Sequence, residues 1–561
     1  MTSTTAWTSE AWKALAEHKA EVSPPTFSVA AALADDDGRL DKLCVAFPDS
    51  ATADATGDAE EDVAGIGLLA DFSKHLVTER TVELFGELAA AMDFNALRAA
   101  MFAGEHVNVT EDRAVGHVAL RTPEAYKCLY DDGASSSFDF AEDGAEAVGT
   151  VLAQMKAFAD SVRSGTWKGA TGKAIASVVN IGIGGSDLGP AMVVGALAPY
   201  AKDELDMHFV ANVDPSNLTE ALAKCDRETT LFIVCSKTFT TAETLANANA
   251  AKAWLLDPAG GLDDAAVAAH FVAVSTNSDG VAGFGIDPAN MFAFSDWVGG
   301  RYSVWGPIGL SVMLAVGPEA FGRFLAGAHA VDEHFLTAPL ASNIPFLMGT
   351  LDLWYTNFFG YTSHAVLPYD HNLGRFAAYL QQLTMESLGK GVTRDGVPLP
   401  PHLVTSGSVV FGEPGTPAQH SFMQLLHQGQ VVPADFLVAA SSHAAIGTQH
   451  EMLVANAVAQ AEALMVGKSH DDPARAFSGN RPTTTFMYRK LTPATLGALI
   501  AFYEHAVFTV AALLGLNAYD QFGVELGKKL ASAIVDDFAA ASTDGHDVST
   551  ARIMQHYLAL R

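Results

Sequence analysis

The sequence predicts an α/β fold built on parallel sheets. Three observations carry that prediction. Short apolar runs rich in β-branched residues recur along the chain. Each is followed by a glycine or hydroxyl loop and then by a helix-like stretch, the alternation of a parallel sheet covered on both faces. Of the 561 residues, 49% are hydrophobic and 17% charged, a balance that can bury a large core.

Taken in order, Trp12 to Ala20 and Thr81 to Met101 have helix-like apolar spacing, so residues 1–146 read as a helical, loop-rich segment. The acidic stretches Asp49 to Ala64 and Asp131 to Glu146 read as surface loops, the second near a domain boundary. From about residue 147 a helix (Gly149 to Ser164) leads into four strand candidates. These are Ala174 to Ile183, Met207 to Val213, Leu231 to Ser236 and Phe271 to Asn277, with helix candidates between them. Residues 147–317 thus form a first α/β unit. After Gly317 the chain is more helical, with strand candidates Val404 to Gly412 and Val431 to Ala440, so 318–521 read as a second unit of the same kind. Residues 522–561 read as a helical tail.

Lys and Arg number 33 and Asp and Glu 64, a net charge of −31, which argues against a general nucleic-acid binder. The four cysteines form no C-x-x-C pair, the N-terminus lacks a signal-like apolar core, and no charge-free apolar run reaches membrane length. A reduced, soluble, cytoplasmic protein is expected.

Ligands of parallel sheets sit beyond the carboxyl ends of strands, so the loops there matter most. Gly182 to Gly189 (GIGGSDLG) follows a strand and opens a helix; it is either a tight turn or an anion cradle. Its spacing fails the dinucleotide fingerprint at Asp187, and no P-loop motif occurs. Ser236 to Thr241 (SKTFTT) offers four hydroxyls and an ammonium at a strand end, which suits a phosphate monoester or a hydroxyl-rich helix cap. Arg301 sits among aromatics and glycines, either capping carbonyls or facing a developing oxyanion. In the helix candidate Asn372 to Lys390, Gln382 and Glu386 are four apart beside an apolar stripe. A carboxylate there is an exposed residue or a base tuned by desolvation. His420 follows a Pro- and Gly-rich loop, and Gln521 and Lys528 flank an expected turn. His450-Glu451 fails H-E-x-x-H, so no metal is expected.

In chain order, VNVTEDRAVGHVALR, NIGIGGSDLGP, CSKTFTTAET, DWVGGRYSVWGPIGL, YLQQLTMESLGK, GEPGTPAQHSFMQLLHQG, KLTPATLGALIAFYEH and YDQFGVELGK closely resemble the glucose-6-phosphate isomerase family. The resemblance spans about Asn108 to Lys528. It implies two α-β-α sandwich sugar-isomerase (SIS) domains and a homodimer. It also implies a reaction of glycolysis and gluconeogenesis that needs neither metal nor cofactor. Ser186, Ser236, Lys237, Thr238 and Thr241 would hold the sugar phosphate. Gly185 and Gly300 would give the substrate access to the backbone. Glu386 would be the base, Arg301 would stabilise an enediolate, and His420 (from the partner subunit) and Lys528 would serve ring opening. Gln382 and Gln521 would bind substrate or order the base. The chain departs from many members in having Leu388 for Asn and Phe522 for Trp. Leu388, two residues beyond Glu386, is expected to affect packing rather than chemistry. A phosphosugar-binding regulatory module and an isomerase also accepting mannose 6-phosphate are the competing expectations. The failed glycine spacing disfavours a nicotinamide dehydrogenase.

Overall fold

A computed structural model of the chain describes residues 5–36, 38–48, 61–130 and 148–561. They fall into two units, Met1–Ala518 and Tyr519–Arg561. The acidic stretch Asp131 to Glu146 and most of Asp49 to Ala64 lie outside the described residues.

The first unit contains two sheets. Their strands are β1 (Cys44–Phe47), β2 (Leu68–Lys74), β3 (Ser177–Ile181), β4 (Asp206–Val210), β5 (Thr230–Cys235), β6 (Phe271–Val274), β7 (Met291–Phe292), β8 (Ser363–Tyr369), β9 (Val409–Phe411), β10 (Ala434–Ala439) and β11 (Thr483–Tyr488). One sheet runs β4-β3-β5-β6-β7 with every pair parallel. All residues of β3, β5 and β6 are buried, as strands covered on both faces must be. Counted in its own sequence, this is the order 2-1-3-4-5. The chain leaves β3 for β4 on one side and then returns to β5 on the other. That reversal opens a crevice at the carboxyl ends of β3 and β5, where doubly wound sheets bind ligands.

The other sheet runs β1-β2-β11-β10-β8-β9. Its parallel part (β9, β8, β10, β11) again has the order 2-1-3-4. β2 then pairs antiparallel with β11, and β1 with β2. These two strands come from the N-terminal segment whose spacing had suggested only helices and loops. The expected Thr81 to Met101 helix is two helices, Glu79–Ala91 and Phe94–Phe102, broken where Asp93 takes a left-handed φ of 52°.

Three apolar helices, Pro318–Thr337, Ile344–Trp354 and Pro493–Leu514, pack on one another. Every residue of Pro493–Leu514 is buried, so its all-round apolarity is that of a core helix. It is the one helix among the described residues long and apolar enough to cross a membrane, and it lies inside the fold. It packs tightly on its neighbour: a Cβ on Gly327 would stand 1.9 Å from the Ala494 carbonyl oxygen, and one on Gly497 2.0 Å from that of Phe324.

This core holds a buried charge cluster. Arg121 donates to Asp332 (2.6 and 2.7 Å) and to Glu504 (2.5 Å), and stacks 4.6 Å from the Trp305 ring centre. His505 Nε2 lies 2.6 Å from Asp332, and Trp305 Nε1 donates to Glu504 at 2.9 Å. One guanidinium cannot balance two buried carboxylates. Burial pushes Glu504 up to about 7, whereas Arg121 overcomes burial at Asp332 and holds it down. The cluster thereby anchors Trp305, four residues beyond Arg301.

The second unit comprises helices Phe522–Ala540 and Val548–Leu560, joined through a Phe538–Tyr557 ring contact of 4.6 Å and a His546–Asp537 contact of 2.9 Å.

Candidate active site

Four segments of the first unit meet at the crevice beyond β3 and β5. The glycine loop turns sharply after β3, with Gly184 at φ +61°. Next to it, a Cβ on Gly185 would lie 2.1 Å from the Gly300 carbonyl oxygen and 2.8 Å from the Arg301 nitrogen. Two backbones touch here, and only glycine permits it. The same loop meets the segment that carries Gln382 and Glu386: a Cβ on Gly184 would approach Gln382 Nε2 to 3.1 Å. Ser186 holds the loop's shape by accepting, through its carbonyl, a 3.0 Å bond from the Asn180 side chain.

Arg301 is 3% exposed, so its charge is desolvated and its aim is fixed by neighbours. Its Nε donates to Ser387 Oγ at 2.7 Å, its Nη2 donates to the Ala518 carbonyl, and its Nη1 stands 3.6 Å from Glu386 Oε1. Tyr302 Oη also meets Ser387 at 3.0 Å. Ser387 therefore couples the arginine loop to the carboxylate's own helix. Sequence reasoning missed it, although its place next to Glu386 was a usable signal.

The expected long helix around Glu386 is shorter and irregular. An α-helix, Phe376–Gln381, passes into a π-helical turn, Gln382–Glu386. Such widened turns are frequent at functional sites. Gln382 and Glu386 occupy the two ends of this turn and are both half-buried. Leu388 is buried, 1% exposed, and lines a small cavity of about 50 Å³ together with Thr384, His364, Asp352 and Asp435.

The hydroxyl loop leaves β5 with Ser236 buried; its Oγ donates to Thr241 Oγ1 at 3.2 Å. Thr238 and Thr240 hydroxyls are 2.6 Å apart. Lys237 Nζ donates to the Asp296 carbonyl at 3.0 Å and lies 3.3 Å from its carboxylate. Burial lowers the Lys237 pKa, and Asp296 opposes that. This contact joins the hydroxyl loop to the segment that leads into Gly300 and Arg301.

The structure thus brings together Gly185, Ser186, Ser236, Lys237, Thr238, Thr241, Gly300, Arg301, Gln382 and Glu386. His420 follows the helix Gly415–Gln419 and is exposed. Gln521 and Lys528 belong to the second unit. Gln521 is the N-cap of Phe522–Ala540 and Lys528 lies exposed within that helix, so a helix separates them where a turn was expected.

A parallel α/β protein with hydroxyls and a lysine at its switch point, and an arginine facing a carboxylate beside it, has the makings of a phosphosugar isomerase. Comparison with known proteins agrees. The phosphoglucose isomerase family model matches residues 71–554, and the chain belongs to that family and is an isomerase. It is 52% identical over 508 residues to the glucose-6-phosphate isomerase of Saccharomyces cerevisiae, covering 88% of this chain and 89% of the relative. It is 47% identical to that of Methylococcus capsulatus, with 98% of each covered. Among solved structures, the glucose-6-phosphate isomerase of Chlamydia trachomatis superposes with a TM-score of 0.82 over the whole of both chains, at 28% identity.

Proposed function

We propose that the chain interconverts glucose 6-phosphate and fructose 6-phosphate, with Glu386 as the proton shuttle. The observation that carries this reading is the Glu386–Arg301 pair, 3.6 Å apart and tied through Ser387, beside a hydroxyl-rich phosphate loop. In the open-chain aldose, Glu386 takes the proton from C2. The C–H electrons form a C1–C2 double bond, and the charge moves to O1. Arg301 faces that charge without reorganising, because it is already buried and held. A proton passes from O2 to O1, and Glu386 returns its proton to C1, leaving a ketone at C2. C1 is reduced as C2 is oxidised, so no external electron carrier is required.

Ser186, Ser236, Lys237, Thr238 and Thr241 hold the phosphate, whose binding energy positions the reacting carbons. Gly300 keeps the backbone open to the substrate, and Gln382 and Gln521 order the base and sugar. His420 and Lys528 open the ring. His420's exposure supports its donation to a second copy, hence a homodimer with shared sites. The two sheets support a division into sugar-isomerase domains at 147–317 and 318–521, with 1–146 and 522–561 as appended segments. Four free thiols support a cytoplasmic setting.

The test follows fructose 6-phosphate consumption with a glucose 6-phosphate dehydrogenase reporter, in excess EDTA. Wild type turns over. Glu386→Gln loses about 10²- to 10⁴-fold in kcat while still binding phosphosugar. Wild-type-like turnover in that variant would overturn the assignment of the base.

A further inference from the structure

We propose that Asn277 is a positioning residue for the phosphate loop. The inference rests on the reading of Ser236–Thr241 as that loop, and it adds what gives the loop its shape. Hydrogen bonds from the backbone amides of Lys237, Thr238, Thr240 and Thr241 to any protein acceptor are absent among the described residues. A loop that keeps its donors free for an anion must be braced through its other side.

The bracing comes from the neighbouring strand end. Beyond β6, Ser275 Oγ, Thr276 N and Thr276 Oγ1 all donate to the Lys237 carbonyl, at 3.1, 2.9 and 2.7 Å. Asn277 Nδ2 donates to the Thr238 carbonyl at 2.9 Å. Its Oδ1 accepts from Gly280 N at 2.9 Å and so caps the helix Ser278–Phe284. An amide group is needed for this pair of contacts: one end must accept, the other must donate.

The same helix grips the loop a second time. Phe239 has φ +54°, a left-handed conformation rare for an aromatic residue. It persists because the ring is buried, 6% exposed, and packs edge-on against Phe284, the last residue of that helix, at 5.9 Å. The carbonyls of Lys237 and Thr238 are thus pulled toward β6 and the Phe239 ring is pulled into the core. The amides of Lys237, Thr238, Thr240 and Thr241 are left for the ligand.

Two neutral variants separate positioning from stability. Asn277→Ser keeps an acceptor for the helix cap and loses the donor to Thr238. Asn277→Ala loses both. In the full-length protein, KM for fructose 6-phosphate and Ki for inorganic phosphate as competitor rise about five-fold in both variants, the worth of one hydrogen bond, with kcat within about two-fold. Only Asn277→Ala lowers the melting temperature. Wild-type KM and Ki in Asn277→Ser overturn the proposal, as does a KM that follows the melting temperature rather than the lost donor. Thr238→Ala is run beside them. If it raises the phosphate Ki while Asn277→Ser does not, the phosphate loop stands and Asn277's role falls. If Thr238→Ala leaves that Ki unchanged, the phosphate reading falls and the Asn277 proposal with it.

Discussion

The two sheets repeat one strand order and differ in what they bury. Around β3, β5 and β6 the core is mostly apolar, from Val179 and Ile181 to Phe232, Val234 and Phe271, and the polar residues buried in those strands, such as Asn180 and Thr230, are uncharged. The second sheet buries charge. His364 of β8 lies 2.8 Å from Asp435 of β10, off the line of a hydrogen bond, and Asp352 is 3.9 Å away on its other side. Tyr503 donates to Asp435 at 2.8 Å. Burial alone would lower the His364 pKa, but Asp435 and then Asp352 raise it to about 9. Burial pushes Asp435 upward, and His364 more than reverses it. A neutral neighbour, His75, is held down to about 3, chiefly by burial, and lies 2.9 Å from Thr484 of β11. One sheet therefore offers a plain wall behind its crevice. The other carries buried charges in a cavity shared with Thr384 and Leu388, on either side of Glu386 in sequence.

The comparison breaks most sharply at the crevice. Gly185→Ala drives a Cβ into the Gly300 carbonyl, displacing the loop by more than the about 1 Å that already costs 10²-fold in rate. Gly300→Ala is the control: its Cβ meets nothing nearer than Gly185 Cα at 4.0 Å. It folds normally by melting temperature, so any loss of kcat/KM measures substrate access alone.

In the second sheet the largest effect is on stability. His364→Leu leaves Asp435 buried without its cation and costs about 3–5 kcal/mol in chemical denaturation. Its pH dependence has a sign. A histidine raised in the folded state stabilises fully below its unfolded value near 6.5, and that stability is lost as pH rises through about 9. Asp435, depressed, contributes above the unfolded carboxylate range and loses it as pH falls. The melting-temperature gap between wild type and His364→Leu is therefore wide near about pH 7 and narrows by about pH 10. A gap that stays constant would show that the pair does not titrate.

The smallest effect is expected at Leu388. Leu388→Asn puts an amide into the wall of the small cavity, beside Thr384 and within the space shared with Asp352 and Asp435. Stability falls by about 1–3 kcal/mol if the amide finds no partner, with kcat within a few-fold. A large gain in kcat would mean that this side chain tunes Glu386.

The same contrast decides what could be read in advance. β3, β5, β6 and β10 are fully buried, near-continuous apolar runs, and they stand out in the chain. β8 begins Ser-His and β11 begins Thr-Thr-Thr; His364 meets Asp435 and Thr484 meets His75, so local pattern hides both strands. β2 gains its identity by pairing with β11, several hundred residues further along the chain, and β1 by pairing with β2. At the site, strand-end reasoning singled out the two loops, the aromatic and glycine surroundings singled out Arg301, and helix spacing singled out Glu386. None of these could find the backbone contact of Gly185 with Gly300, the bridge through Ser387, or the bracing by Asn277. Each of these is a tertiary meeting between segments that carry no mark of each other.

The widened turn at Gln382–Glu386 has a consequence for how such a chain can change. A π turn is an α-helix carrying one surplus residue. Deleting a single residue from Leu383–Met385 would regularise the helix's hydrogen bonding and leave the residues beyond it nearly on their present face, because the widened turn already absorbs the surplus. What such a shortening would remove is the widened turn itself, so the surplus residue sets how far Gln382 stands from Glu386 and not where the rest of the helix runs.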